Sequence, residues 1–206
     1  NKHLTLTVTG GRTKDSWAID NKASNFFYLK GIIRGLMNRL GINTMKSSPA
    51  KNDIFSEGLS LQLGKTDLVE FGVIKQAVLK EFGIKQEVLF ADFNWKNMMQ
   101  LVGKKDLKVK ELSKFPTVKR DLALLLDNSI TFKELYTAAY KTEKQLLKDV
   151  DLFDVYQGKN LPDGKKSYAL SFLLQDENKT LNDKQIDRVM QKLQQAFERD
   201  FKAELR

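Results

Sequence analysis

The chain has no cysteine, a single histidine (His3) and only 3 prolines in 206 residues. Without cysteine, no disulfide framework exists, which fits a reducing compartment. With one histidine and no thiol, no zinc site of the usual Cys/His kind can form, and Cys–His or Ser–His nucleophilic catalysis is not expected. No apolar run approaches the roughly 20 residues needed to span a bilayer, so no membrane span is expected. The opening Asn1-Lys2-His3-Leu4 is neither a signal peptide nor a natural start, and it reads as the middle of a strand. The expectation is a fragment of a longer protein.

What is present is an ordinary globular composition, 41% hydrophobic and 30% charged, with 35 Lys plus Arg against 26 Asp plus Glu. The length suits one large or two small domains. The net charge of +9 favours a polyanionic partner such as nucleic acid or a membrane surface, although many proteins carry such charge for solubility alone.

Two segments separate along the chain. The first opens with Leu4-Thr5-Leu6-Thr7-Val8-Thr9, an apolar/Thr alternation that predicts a half-buried strand before Gly10-Gly11. Ser24 or Asn25 then caps a helix whose apolar stripe runs through Phe26, Phe27, Leu29, Ile32, Ile33, Leu36, Met37 and Leu40, with Gly41 as its stop. Gly31 and Gly35 lie one turn apart on it, and the reading is tight internal packing. Strands follow at 54–63 and 68–73, with Leu59, Leu61 and Leu63 on one face. Next come a short helix over 74–82, a strand over 87–93 and a helix from Asn94 to Leu101. The charged stretch Val102–Lys114 reads as the connection, with the boundary near residue 112.

The second segment has the order βαββαβ: a strand over 118–126, a helix opened by the Thr131/Glu134 capping-box spacing, strands over 149–156 and 166–174, a long helix capped by Asn182 with Gln185, and a last strand over 201–205. That order is the ferredoxin-like plan, a four-stranded antiparallel sheet with both helices on one face and the other face free to bind. Period two assigns Tyr168, Leu170, Phe172, Leu174, Phe153, Val155, Leu122, Leu124 and Leu126 to the core. It sends Ser167, Ala169, Ser171, Asp154, Tyr156, Asp121 and Ala123 to the open face. A ring on an open sheet is a platform for an unpaired base, and a carboxylate or hydroxyl beside it can bond base edges. Arg120, Lys165 and Lys166 are candidates for phosphates. The plain alternative is a solvent-exposed tyrosine beside a routine surface carboxylate.

Five motifs then occur in order: Lys114-Phe115-Pro116 through Arg120-Asp121-Leu122-Ala123, Asp151-Leu152-Phe153-Asp154-Val155-Tyr156-Gln157-Gly158, Leu161-Pro162-Asp163-Gly164-Lys165-Lys166-Ser167, Thr180-Leu181 and Ala203-Glu204-Leu205-Arg206. Together they resemble the ferredoxin-fold anticodon-binding domain of bacterial phenylalanyl-tRNA synthetase β subunits. Upstream, Asn25-Phe26-Phe27-Tyr28-Leu29-Lys30-Gly31 is similar to that family's Asp-Phe-Phe-Asp-Leu-Lys-Gly helix start, with Tyr28 in place of an acidic residue. Gly72–Phe93 is similar to the family's segment that ends in a hydrophobic strand.

The resemblance implies an α+β chain. Residues 1–112 would be part of a non-catalytic class II synthetase-like antiparallel α/β domain, and residues 113–206 the ferredoxin-like anticodon-binding domain. No Gly-rich stretch ending in an Arg of the class II motif-3 type is found here, in agreement. The family's base-contacting positions match Ala123, Asp154, Tyr156 and Ser167. The resemblance further implies no metal or cofactor in this stretch, with ATP and magnesium serving the whole enzyme. It implies tRNA (the anticodon stem-loop) and the α subunit in an (αβ)2 assembly as partners, and a cytoplasmic location. Two readings compete: a ferredoxin-like regulatory module that binds a small molecule, and a general RNA-recognition motif, which would need Tyr168 and Phe172 on the open face. The charge is uneven: residues 1–112 hold 18 basic and 11 acidic residues, a net +7, and residues 113–206 hold 17 and 15, a net +2. The basic excess, Lys104, Lys105 and Lys108 included, is therefore expected to meet RNA backbone or neighbouring domains rather than the anticodon itself.

Overall fold

The computed structural model describes residues 2–102 and 111–206. The chain divides into two compact units, Asn1–Lys108 and Val109–Arg206. Lys104, Lys105 and Lys108, and most of the expected connection, lie outside the described residues. No described helix is long and apolar enough to cross a membrane.

The first unit is a five-stranded antiparallel sheet of β1 (His3–Thr9), β2 (Lys46–Pro49), β3 (Phe55–Leu63), β4 (Thr66–Ile74) and β5 (Val88–Asn94), in the order β1-β5-β4-β3-β2. Its helices are α1 (Phe26–Arg39), α2 (Gln76–Glu81) and α3 (Trp95–Val102). Strict alternation buries Leu89, Ala91 and Phe93 of β5, and the register sets Val73, Phe71 and Val69 of β4 beside them. Leu29, Ile33 and Met37 of α1 and Met98 of α3 complete this core, with Leu59, Leu61 and Leu63 packed on it. Asn25 caps α1 by accepting from the Tyr28 N–H at 2.9 Å, and Asn94 does the same for Asn97 at 3.0 Å. Gly41 follows α1 at φ +73°, a left-handed conformation that favours glycine.

Two sequence expectations for this unit fail. The α1 stripe is too wide: Phe27 is 75% exposed and Ile32 37%, whereas Leu29, Ile33 and Met37 are buried and Phe26, Leu36 and Leu40 pack against the same core. Gly31 and Gly35 are not packed against anything, since a β-carbon at either would meet no atom within 4 Å. Strand β2 is an addition. Lys-Ser-Ser-Pro carries no apolar signal, and it is a strand because the β3 edge offers it backbone partners.

The second unit is the sheet β6 (Val118–Asp127), β7 (Leu147–Tyr156), β8 (Lys165–Leu174) and β9 (Glu204–Leu205), ordered β7-β8-β6-β9 and antiparallel throughout. Helices α4 (Phe132–Thr142) and α5 (Asp183–Phe201) supply Leu135, Ala139, Ile186, Val189, Leu193 and Phe197 to a core shared with Leu124, Leu126, Val150, Leu170, Phe172 and Leu174. The order is the ferredoxin-like one. Both expected capping boxes form. Burial raises the Tyr140 phenol above its usual range, so it stays a donor, to the Lys148 carbonyl at 2.9 Å. The last strand is shorter than expected. Phe201 still belongs to α5, Lys202 ends the helix in the left-handed region at φ 50°, and only Glu204–Leu205 pair with β6.

Candidate nucleic-acid interface

Register assembles the site. Asp154, Ala169 and Ala123 lie in one row across β7, β8 and β6, and Tyr156, Ser167 and Leu125 form the next. These rows alternate with Leu170 and Leu122, and with Tyr168 and Leu124, which pack on the helix side. Ala123, Asp154, Tyr156 and Ser167 therefore share the helix-free face, two residues or roughly 7 Å apart along the strands. Tyr168 and Phe172 have the opposite parity, with Phe172 fully buried, so the aromatics that an RNA-recognition motif would display are not on this face.

Tyr156 is held from two sides. The backbone of Gly158 packs against its hydroxyl end, where a β-carbon would lie 2.7 Å from the oxygen. The Arg206 guanidinium carbon lies 5.4 Å from the ring centroid. Arg206 is placed by its own N–H, which donates to the Ala123 carbonyl at 3.0 Å and continues the β9 pairing. Arg206 and Tyr156 thus reach towards each other across the central strands. Ser167, on the central strand β8, is only 6% exposed, so a ligand meets its hydroxyl only after the groups above it move.

Two of the expected phosphate-holding cations are elsewhere. Arg120 is in register with the buried Phe172, which puts it on the helix side. Its Nη2 is 4.0 Å from Asp183 Oδ1, at the start of α5, and its Nη1 donates to the Lys119 carbonyl at 3.0 Å. Lys166 also has helix-side parity and is 5% exposed. Its ammonium donates to the Asn128 carbonyl at 2.9 Å and stands 4.7 Å from the Tyr168 ring centroid. A buried ammonium needs such partners, and here they consume it. Lys165 has open-face parity, in register with Asp127 at the sheet end.

The expectation that Phe153 is core also fails. The β7 register slips between Leu152 and Asp154, a bulge that breaks the period of two. Phe153 is 54% exposed, and Lys119 Nζ lies 5.7 Å from its ring centroid. Lys119 is in register with Leu173 on the open face, so the bulge sets Phe153 and Asp154 on the same side of the sheet. Val155 keeps helix-side parity opposite Tyr168 but is 50% exposed at the strand end. The slip has a trace in the sequence. Val150 and Leu152 are apolar at even positions, whereas Asp154 and Tyr156, also even, are polar. Arg206 and Lys119 carry no such trace, because only the fold brings them over β7.

A ferredoxin-like sheet with an aromatic, a carboxylate and small residues on its free face defines the class, and comparison with known proteins agrees. Residues 113–206 match the ferredoxin-fold anticodon binding domain, and residues 1–95 match the phenylalanyl tRNA synthetase beta chain CLM domain. Among curated relatives, the phenylalanine–tRNA ligase beta subunit of Bacteroides thetaiotaomicron is 48% identical over 99% of this chain, that of Bacteroides fragilis 47% over 99%, and that of Porphyromonas gingivalis 40% over 98%. The chain belongs to the phenylalanyl-tRNA synthetase β chain family, and it spans about 25% of the length of these relatives.

Proposed function

We propose that the second unit recognises the anticodon of a tRNA and that the whole chain acts as the RNA-binding part of a phenylalanine–tRNA ligase β subunit. The observation that carries this reading is the convergence of Ala123, Asp154, Tyr156 and Ser167 in two adjacent rows of one helix-free sheet face. An unpaired base stacks on Tyr156, taking the place of the Arg206 guanidinium, which turns to the RNA backbone. Asp154 accepts from the base edge, Ser167 bonds it once uncovered, and Ala123 leaves the floor low enough for a flat ring. Lys165, at the end of the same face, meets a phosphate. In this reading the chain contributes no chemical step. Adenylation with ATP and magnesium belongs to an α subunit with which the β chain assembles as (αβ)2 in the cytoplasm.

Replacing the ring tests this directly. Tyr156→Ala is expected to weaken anticodon stem-loop binding by the assembled enzyme roughly 5- to 150-fold, the equivalent of about 1–3 kcal/mol of base stacking. Unchanged binding and unchanged aminoacylation would remove Tyr156 from the interface.

A further inference from the structure

We propose that Phe153, Asp151 and Asp121 form a second base subsite on the same sheet face, taking an unpaired base that carries an exocyclic amino group. The proposal rests on the anticodon reading above and adds a ligand position to it. Phe71, Phe93 and Phe172, on other strands, are fully buried, whereas Phe153 leaves an aromatic ring 54% exposed on a paired strand, and such a ring calls for a partner. The β7 bulge is what joins it to the site. Phe153 follows the inward Leu152 and so turns outward, and the slip after it brings Asp154 and then Tyr156 to the same face instead of under the helices. Asp151 and Asp121 flank Ser171 from the two sides, in one row across β7, β8 and β6, and both are exposed. The ring therefore shares the open face with two carboxylates that flank a small, nearly covered serine.

That chemistry selects its ligand. Carboxylates only accept hydrogen bonds, so they favour the exocyclic amino groups of adenine, guanine or cytosine over uracil. Two carboxylates also disfavour a phosphate lying directly on this row, so the base enters edge first with its backbone outward. Lys119, now 5.7 Å from the Phe153 centroid, is the cation within reach of that backbone once a base replaces it on the ring. Tyr156 and Phe153 are three residues apart on one bulged strand, roughly 7–10 Å along it. The bulge shortens that run, because Leu152 to Tyr156 spans only three residues of β8, and one base is assigned to each ring.

The test is a set of cycles between protein and RNA, using the assembled enzyme and the anticodon stem-loop of tRNA-Phe with one loop base at a time made abasic. Phe153→Ala is expected to weaken binding of the intact loop roughly 5- to 150-fold. Phe153→Tyr should retain affinity and Phe153→Leu should not, which separates the ring from its bulk. The Phe153→Ala loss should vanish with one abasic position, and the Tyr156→Ala loss with a different one. If Tyr156→Ala weakens binding while Phe153→Ala does not, or if both rings couple to the same base, the second subsite is wrong and the anticodon reading stands. If neither substitution weakens binding, the anticodon reading itself falls.

Discussion

A glycine means different things at two places in this chain, and the neighbours decide which. Gly35 sits on the exposed side of α1, and an alanine methyl there would have nothing within 4 Å. Gly35→Ala is therefore expected to raise stability by about 0.5–1 kcal/mol, through helix propensity alone. Gly72 lies under the paired β3 backbone. A β-carbon there would collide with the Glu57 carbonyl oxygen and lie 2.8 Å from both Gly58 Cα and Phe55 Cδ1. Gly72→Ala is expected to cost about 1–3 kcal/mol as the strands are forced apart. Urea unfolding of the two variants should move the midpoints in opposite directions, and movement in the same direction would contradict these assignments. At this scale strand parity identified Ala123, Asp154, Tyr156 and Ser167 as neighbours on one face. It equally gives Arg120 and Lys166 the parity of the other face, that of the buried Phe172 and Leu126. Proximity in sequence to the motif had favoured both cations, but side chains on successive strand residues point to opposite faces.

Elements with a local signal formed as read. Thr131 and Glu134 build the α4 capping box: the Glu134 carboxylate accepts from the Thr131 N–H at 2.8 Å and its hydroxyl at 2.7 Å. The backbone bond first, then the hydroxyl bond, hold the Glu134 carboxyl below its ordinary 4.5. Because the folded value lies below the unfolded one, the contribution is complete above about pH 4.5 and is lost as pH falls through the folded value. Ser129 holds Asp127 low in the same way, its hydroxyl bond first and its backbone bond second. Glu134→Gln keeps a side chain able to cap but removes the titration. Thermal midpoints followed from about pH 6 to pH 3 should fall more steeply for the natural chain than for the variant. Parallel curves would show that this carboxylate does not link folding to pH. Elements without a local signal were the ones missed. Strand β2 exists only because β3 has an edge to pair, the β7 bulge slips one register, and α5 extends through Phe201 until Lys202 ends it.

Over the whole molecule, the charge that first points to a polyanion belongs to residues 1–112, at a net +7, rather than to residues 113–206, at a net +2. The unit with the open sheet is almost balanced, and its face carries Asp121, Asp149, Asp151 and Asp154 against Lys119, Lys165 and Arg206. Such a surface suits hydrogen bonding and stacking on a few splayed bases rather than gripping a phosphate backbone. If the basic excess of residues 1–112 meets RNA backbone, changing Lys104, Lys105 and Lys108 to Gln should flatten the dependence of tRNA affinity on salt for the assembled enzyme, by roughly 0.7–0.9 in log–log slope for each phosphate no longer neutralised. An unaltered slope would take those three residues out of the interface. The sequence by itself determined the two-part α+β order, the capped helices, the core rows of β6 and β8 and four residues of the open face, because each is written in spacing along a single element. Only the tertiary structure decided that Phe153 faces outward, that Arg206 covers Tyr156, that Lys119 reaches Phe153, and that Lys166 is spent on Asn128. Each of these depends on a register slip or on contacts between strands far apart in the chain, and no periodicity within one strand encodes which residue of another will stand above it.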